Sequence, residues 1–149
     1  MSTNAENVGT VGILGSGIMG AGLVEVAARS GRHVVLRSRS KETAEASIAK
    51  LTKGLERQVE KGRLDAAERD AIVGRITTTA DISDLADCDL VIESVVEDLA
   101  IKKALFAELD GAVKPGAILA TNTSTLPVVE LAMATTRPET RATRPATTT

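Results

Sequence analysis

Residues 8–22 read VGTVGILGSGIMGAG, and the punctuation of this stretch decides the fold. Val11, Ile13 and Leu14 make a short apolar strand that climbs into Gly15-Ser16-Gly17-Ile18-Met19-Gly20, and an apolar-periodic segment follows at once. Glycine-rich turns are common, so GxGxxG alone says little. At the end of a strand and the start of a helix it says much more. Gly15 lets the chain turn sharply off the strand, and Gly17 removes the Cβ that would hold the backbone away from a phosphate. Gly20 lets the helix press on the strand. The helix start then offers N–H groups and a positive dipole end to an anion. Gly15, Ser16, Gly17, Ile18, Met19 and Gly20 are therefore the candidate cradle for the diphosphate of a dinucleotide.

Composition sets the outer bounds. A chain of 149 residues suits one domain with a sizeable core. Eighteen basic against twenty acidic residues leave a net charge of −2, which points to neither nucleic acid nor an anionic membrane as partner. The single Cys88 rules out an internal disulfide and suits a reducing, cytoplasmic compartment. No apolar run approaches the ~20 residues of a membrane span, and residues 1–7 are polar, unlike a secretory signal. With one Phe and no Trp or Tyr, the chain lacks the means to stack single-stranded bases. No metal site is expected.

Outward from the glycine turn, residues 18–29 predict a helix, with Met19, Leu23 and Ala27 at spacing four and Gly31 as its C-cap. HVVLR at 33–37 is a second strand, which completes a βαβ unit. Residues 40–61 predict a long helix with Ser40 as N-cap, Leu51, Leu55 and Val59 along one face and Gly62 as stop. Its Lys50, Lys53, Arg57 and Lys61 read as a solvated face. Asp65 to Glu68 begins a shorter helix to about Val73, and a short third strand follows at 76–78. This helical excursion is longer than a minimal nucleotide-binding crossover. Residues 90–93 make a buried fourth strand. Asp98 caps a helix with Ile101, Leu105 and Leu109 in one stripe, and residues 117–121 make a fifth strand. Pro127 suits the first turn of another short helix. The fold class is α/β, a doubly wound, mostly parallel sheet.

The end of the second strand bears on the choice of coenzyme. NAD sites normally place Asp or Glu about 20 residues after the glycine turn, where it accepts from the ribose 2′-OH. Ser38 stands there, between Arg37 and Arg39. No carboxylate repels a 2′-phosphate, and two guanidiniums suit one, so the electrostatics lean towards NADP while NAD stays open. In a doubly wound sheet, ligands bind outside the carboxyl ends of the strands. Gly15 to Gly20, Ser38, Glu97 and the Asn122-Thr123-Ser124 element all lie just past such ends. His33 begins its strand at the opposite end and reads as structural. Cys88 reads as an inert thiol.

GxGxMG, then LVIESVVEDLAIKKALFAELD, then ILATNTSTLP resembles the N-terminal domain of the 3-hydroxyacyl-CoA dehydrogenases, the bacterial 3-hydroxybutyryl-CoA enzymes in particular, over residues 8–139. The resemblance implies a Rossmann-type sheet in strand order 3-2-1-4-5 and hydride transfer between a nicotinamide and C3 of a 3-hydroxyacyl-CoA. It places Glu97 and Lys102 near the nicotinamide half, lines the coenzyme site with Asn122, and gives Ser124 the substrate's 3-oxygen. In that family the helical excursion contacts coenzyme A. Lys61 matches one contacting position, while Gly54 stands where a serine is usual.

The family's base is a histidine, held by a glutamate, in an HFFNP segment on a sixth strand. Here residues 140–149 read TRATRPATTT, a Thr/Arg/Pro-rich stretch expected to be a disordered tail after the 1–139 domain. The sixth strand, the histidine and the C-terminal helical domain that carries the dimer interface are absent from these residues. The expectation is a truncated or frameshifted chain that binds dinucleotide with little turnover and leaves its fifth strand as an exposed edge. Two other readings compete. A non-catalytic dinucleotide-binding module shares the glycine turn but has no need of Ser124. A hydroxyacid dehydrogenase of the 6-phosphogluconate or 3-hydroxyisobutyrate type suits the arginines but not VIESVVED and NTS at this spacing.

Overall fold

The structure is a computed structural model and describes residues 9–94 and 98–121. Five parallel strands form one sheet in the order β3-β2-β1-β4-β5. They are β1 (Thr10–Leu14), β2 (His33–Arg37), β3 (Ile76–Thr79), β4 (Leu90–Glu93) and β5 (Ile118–Thr121). The first βαβ unit and the expected strand order both stand. Parallel strands are joined by helices that cover the sheet, so both faces must be apolar. Alternation along β1 and β2 sends Val11, Ile13, Val34 and Leu36 to one face, where Val24, Ala28, Leu51, Leu55 and Ile72 pack on them. Leu14, Val91 and Leu119 point to the other face and meet Leu85, Phe106 and Leu109.

The helices are α1 (Ile18–Arg29), α2 (Lys41–Glu60), α3 (Ala66–Gly74) and α4 (Leu99–Ala112). Their ends follow local chemistry. Ser40 caps α2 by accepting from Thr43 N–H at 3.1 Å, and Asp98 caps α4 by accepting from Ile101 N–H at 3.1 Å. Asp65 occupies the N-cap of α3 without a side-chain capping bond. Gly31 and Gly62 follow α1 and α2 with positive φ.

Two helical faces differ from expectation. On α1 the buried residues are Gly20, Val24 and Ala28, whereas Met19 is 59% exposed. Gly20 must face the strand it presses on, which turns the apolar face by one position and rotates Met19 out. On α4 the buried stripe runs Lys102, Phe106, Leu109, with Val113 buried just past its end, and Ile101 is exposed. A spacing-four count from apolar residues starts at Ile101. The stripe in fact starts on a lysine, admitted to the core by a carboxylate partner. A 3₁₀ turn at Ile82–Leu85, opened by Asp81 accepting from Ser83 N–H, was not anticipated. Glu97, Asn122, Ser124, the helix at Pro127 and residues 140–149 lie outside the described residues. Among the described residues no helix is long and apolar enough to cross a membrane.

Candidate dinucleotide site

The glycine turn sits at the carboxyl rim of the central strand. Gly15 has φ 107°, which only glycine adopts without strain, and its N–H donates to the carbonyl of Arg37 at 3.0 Å. That bond ties the turn to the end of β2. A Cβ on Gly20 would lie 1.9 Å from the carbonyl oxygen of Gly15, so the helix touches the strand where no side chain fits. A Cβ on Gly17 would meet nothing within 4 Å. The first glycine makes the turn, the third makes the contact, and the second faces open space.

The N-terminus of α1 is built for an anion. Its N-cap is Gly17, no side chain caps it, and its first turn holds no acidic residue. Helix N–H groups that lack an internal partner therefore face that open space, with the positive end of the helix dipole behind them. Ile18 is 93% exposed beside them. These residues fit a dinucleotide diphosphate. A cleft of about 450 Å³ continues from Ser16, Gly17 and Ile18 along α2 past Thr43, Ser47 and Lys50.

Hydroxyls join the turn to its neighbours. Ser47 on α2 donates to the carbonyl oxygen of Ser16 at 3.1 Å, and the Ser16 and Ser38 hydroxyls lie 2.9 Å apart. Ser38 is buried at the end of β2. Arg37 points to the other face of the sheet from Leu36, and its Nε donates to the carbonyl of Ala80 at 3.1 Å. Arg39 is exposed. The arginines thus diverge: one is bound to the loop after β3, and the other stands in solvent.

At the far side of the rim, Glu93 and Lys102 are wholly buried with Nζ 3.1 Å from Oε2, and the Thr121 hydroxyl donates to Oε1 of Glu93. Ser94, next in the chain, donates its N–H to the carbonyl of Leu14 at 2.7 Å. Glu93 and Thr121 were not singled out in the sequence. The available signal was a polar residue closing an apolar strand in LVIE and again in ILAT. Gly54 and Lys61 belong to the body and C-terminal end of α2. At 1.5 Å per residue, Lys61 lies about 20 Å along the helix from Ser47, so the structure does not bring it to the glycine turn. His33 is exposed at the opposite rim, where its N–H donates to Gly9 O at 3.1 Å. Cys88 is buried, and desolvation pushes its thiol up to about 11, with Asp89 and Asp87 adding to the shift.

Known proteins resemble this chain in sequence and fold. The family described as "3-hydroxyacyl-CoA dehydrogenase, NAD binding domain" matches residues 10–143. A 3-hydroxybutyryl-CoA dehydrogenase of Mycobacterium tuberculosis is 43% identical over 136 residues, 91% of this chain and 48% of that protein. One from Clostridioides difficile is 42% identical over 127 residues, 85% of this chain and 45% of that protein. The crystal structure of 3-hydroxybutyryl-CoA dehydrogenase from Escherichia coli K12 matches with a TM-score of 0.88 at 40% identity, over 91% of this chain and 29% of that one. The chain spans about half the length of the curated relatives it matches. The NAD description answers the lean towards NADP drawn from Arg37 and Arg39, one of which is already bound within the fold. By its match across residues 10–143 and by the glycine turn at its first helix, the chain belongs to the 3-hydroxyacyl-CoA dehydrogenase family and carries that family's NAD-binding domain.

Proposed function

We propose that this chain is the coenzyme-holding part of a 3-hydroxyacyl-CoA dehydrogenase, acting on 3-hydroxybutyryl-CoA or a near homologue. The carrying observation is the turn itself: Gly20 closed against the Gly15 carbonyl, and an uncapped α1 facing open space at Gly17. When bound, NAD accepts or returns a hydride at its nicotinamide ring. The chain's part is to bind and orient. The first turn of α1, with Ile18 and Met19 on it, holds the diphosphate. Ser38, linked to Ser16, meets the adenosine ribose with a hydroxyl in place of a carboxylate. Asn122 lines the coenzyme site and Glu97 stands by the nicotinamide half. Ser124 donates a hydrogen bond to the substrate's 3-oxygen. The roles of these last three rest on the VED and NTS motifs. Lys61 reaches the coenzyme A portion from the end of α2, without the usual serine at position 54.

A base must take the hydroxyl proton as hydride leaves C3. His33 is the one histidine of the 149 residues and begins β2 at the rim away from the turn, so it does not serve. A positioned base contributes ~10²–10⁴-fold to rate. These residues on their own are expected to bind NADH more tightly than NADPH. They are also expected to bind a CoA thioester in the presence of NADH, and to oxidise NADH with acetoacetyl-CoA at least ~10²-fold more slowly than a full-length relative. Coenzyme titration and a coupled absorbance assay test all three. NADPH preference contradicts the coenzyme assignment, and a rate near the relative's contradicts the missing base. Coenzyme binding with no thioester binding favours the non-catalytic module.

A further inference from the structure

The corner where β2 runs into α2 lacks the group that makes a dinucleotide site reject a phosphorylated ribose. That group is a carboxylate, which accepts from the ribose 2′-OH and repels a phosphate at the same place. Ser38 stands there instead, and its surroundings fix it. Its N–H donates to the carbonyl of Thr79 at 3.1 Å, its hydroxyl lies 2.9 Å from that of Ser16, and the residue is buried. Ser16 is only half-buried and lines the cleft of about 450 Å³ between α1 and α2. The pair holds two hydroxyl protons: one spans the two oxygens, and the other is left for a ligand. A ribose hydroxyl accepts such a proton, and so does a phosphate oxygen. An ionised carboxylate has none to give.

The charges around the corner have the same sense. The polar lining of the cleft is Ser16, Thr43, Ser47 and Lys50, with no carboxylate among the lining residues. Glu42, the acidic residue in the first turn of α2, is exposed and lines no part of it. Arg37 is bound to the Ala80 carbonyl, but Arg39 is exposed and makes no hydrogen bond or ion pair with another described residue. A phosphate monoester carries about −1.5 to −2 charge at pH 7, so a free guanidinium beside the ribose is a ready partner for one.

We infer that Ser38 and Arg39 are specificity-determining residues that leave the adenosine end of the site open to a second coenzyme class, a dinucleotide phosphorylated on the ribose 2′ oxygen. The plain ribose meets the Ser16–Ser38 pair. A 2′-phosphate takes the same proton and pairs with Arg39. Ordering an exposed arginine and desolvating a phosphate cost affinity, so NAD stays ahead, by a small margin. The inference rests on the NAD reading above.

The test titrates the whole chain with NADH and with NADPH, each followed by its own fluorescence, at low and at physiological salt. NADH is expected to bind more tightly by no more than about tenfold, and the margin is expected to widen with salt, because only the NADPH complex gains an exposed ion pair. Ser38→Asp is expected to widen it at least about tenfold further, by setting a carboxylate against the phosphate. Arg39→Gln, at an exposed position, is expected to lower NADPH affinity about threefold more than NADH affinity and to remove most of the widening with salt. This second variant decides the matter if the first does not fold. A margin above about tenfold in the parent, or one that the substitutions leave unchanged, overturns the inference while leaving the NAD reading in place. A parent that prefers NADPH, or that binds neither coenzyme, overturns that reading, and the inference with it.

Discussion

A methyl group on Gly20 would lie 1.9 Å from the Gly15 carbonyl oxygen, and backbone stands on both sides of that contact. No flexible side chain can give way. Gly20→Ala is therefore expected to cost about 1–3 kcal/mol of stability, as overpacking does, and to weaken NADH binding by pushing α1 off the strand. Thermal melts and coenzyme titration of the same samples check this; a variant as stable as the parent with the same affinity contradicts it. Cys88 gives a second residue-scale outcome. Buried in one cluster with Leu85 and Val91, and with its thiol pushed up to about 11, it is expected to resist thiol reagents at pH 8 until the protein unfolds. Rapid native-state labelling would contradict that. At this scale the glycine turn was legible because its residues answer to backbone sterics, which a sequence displays directly. Lys102 and Glu93 were not legible as partners. A lysine in a helix reads as solvent-facing, and the carboxylate that admits it to the core is nine positions away in another element.

At the scale of elements, the sequence located all five strands and four helices of the described region to within a residue or so at most ends. Caps and glycine stops are local, and local signals survive folding. Facing is not local. α1 is turned by one position because Gly20 must touch β1, and α4 because Lys102 must reach Glu93. α2 shows what an unconstrained position permits. A Cβ on Gly54 would meet nothing within 4 Å inside a 20-residue helix. Gly54→Ala is expected to stabilise the protein by about 0.5–1 kcal/mol, read from denaturant midpoints, through the better helix propensity of alanine. A fall in stability would reveal a contact at that position.

Three strands are also latched at the rim away from the site. Asp89 accepts from the N–H groups of Gly9 and Thr10 at 2.8 and 3.0 Å and from the Lys114 ammonium. These bonds, Lys114 first, hold the Asp89 carboxyl below its usual range, and Asp89 in turn raises Lys114. A depressed carboxyl contributes stability that is complete above its unfolded pKa of about 3.9 and is lost as pH falls through the lower folded value. The raised ammonium contributes below about 10.4 and is lost as pH climbs past its higher folded value. Asp89→Asn is expected to lower stability by about 1–2 kcal/mol at pH 7, with the gap narrowing below about pH 4. A gap that persists unchanged into acid would mean the carboxylate's charge is not what holds the latch.

Across the described residues the molecule is a two-faced parallel sheet, and the features read as a dinucleotide site lie at one rim. The turn at β1, the serine hydroxyls at β2 and the buried ion cluster at β4 and β5 lie in line along that rim. The exposed histidine and the Asp89 latch lie along the other. A family match over residues 10–143, to proteins about twice as long, makes the chain an NAD-binding domain, and we propose this rim as its coenzyme site. The most direct measurement of that role is a titration of the folded 149-residue chain with NADH, followed by the coenzyme's own fluorescence since the chain has no tryptophan. Saturation at one coenzyme per chain, reversed by ADP-ribose and weakened in Gly20→Ala, is the expected result. A folded chain whose signal rises without saturating, or is indifferent to ADP-ribose, would contradict a dinucleotide site at the start of α1.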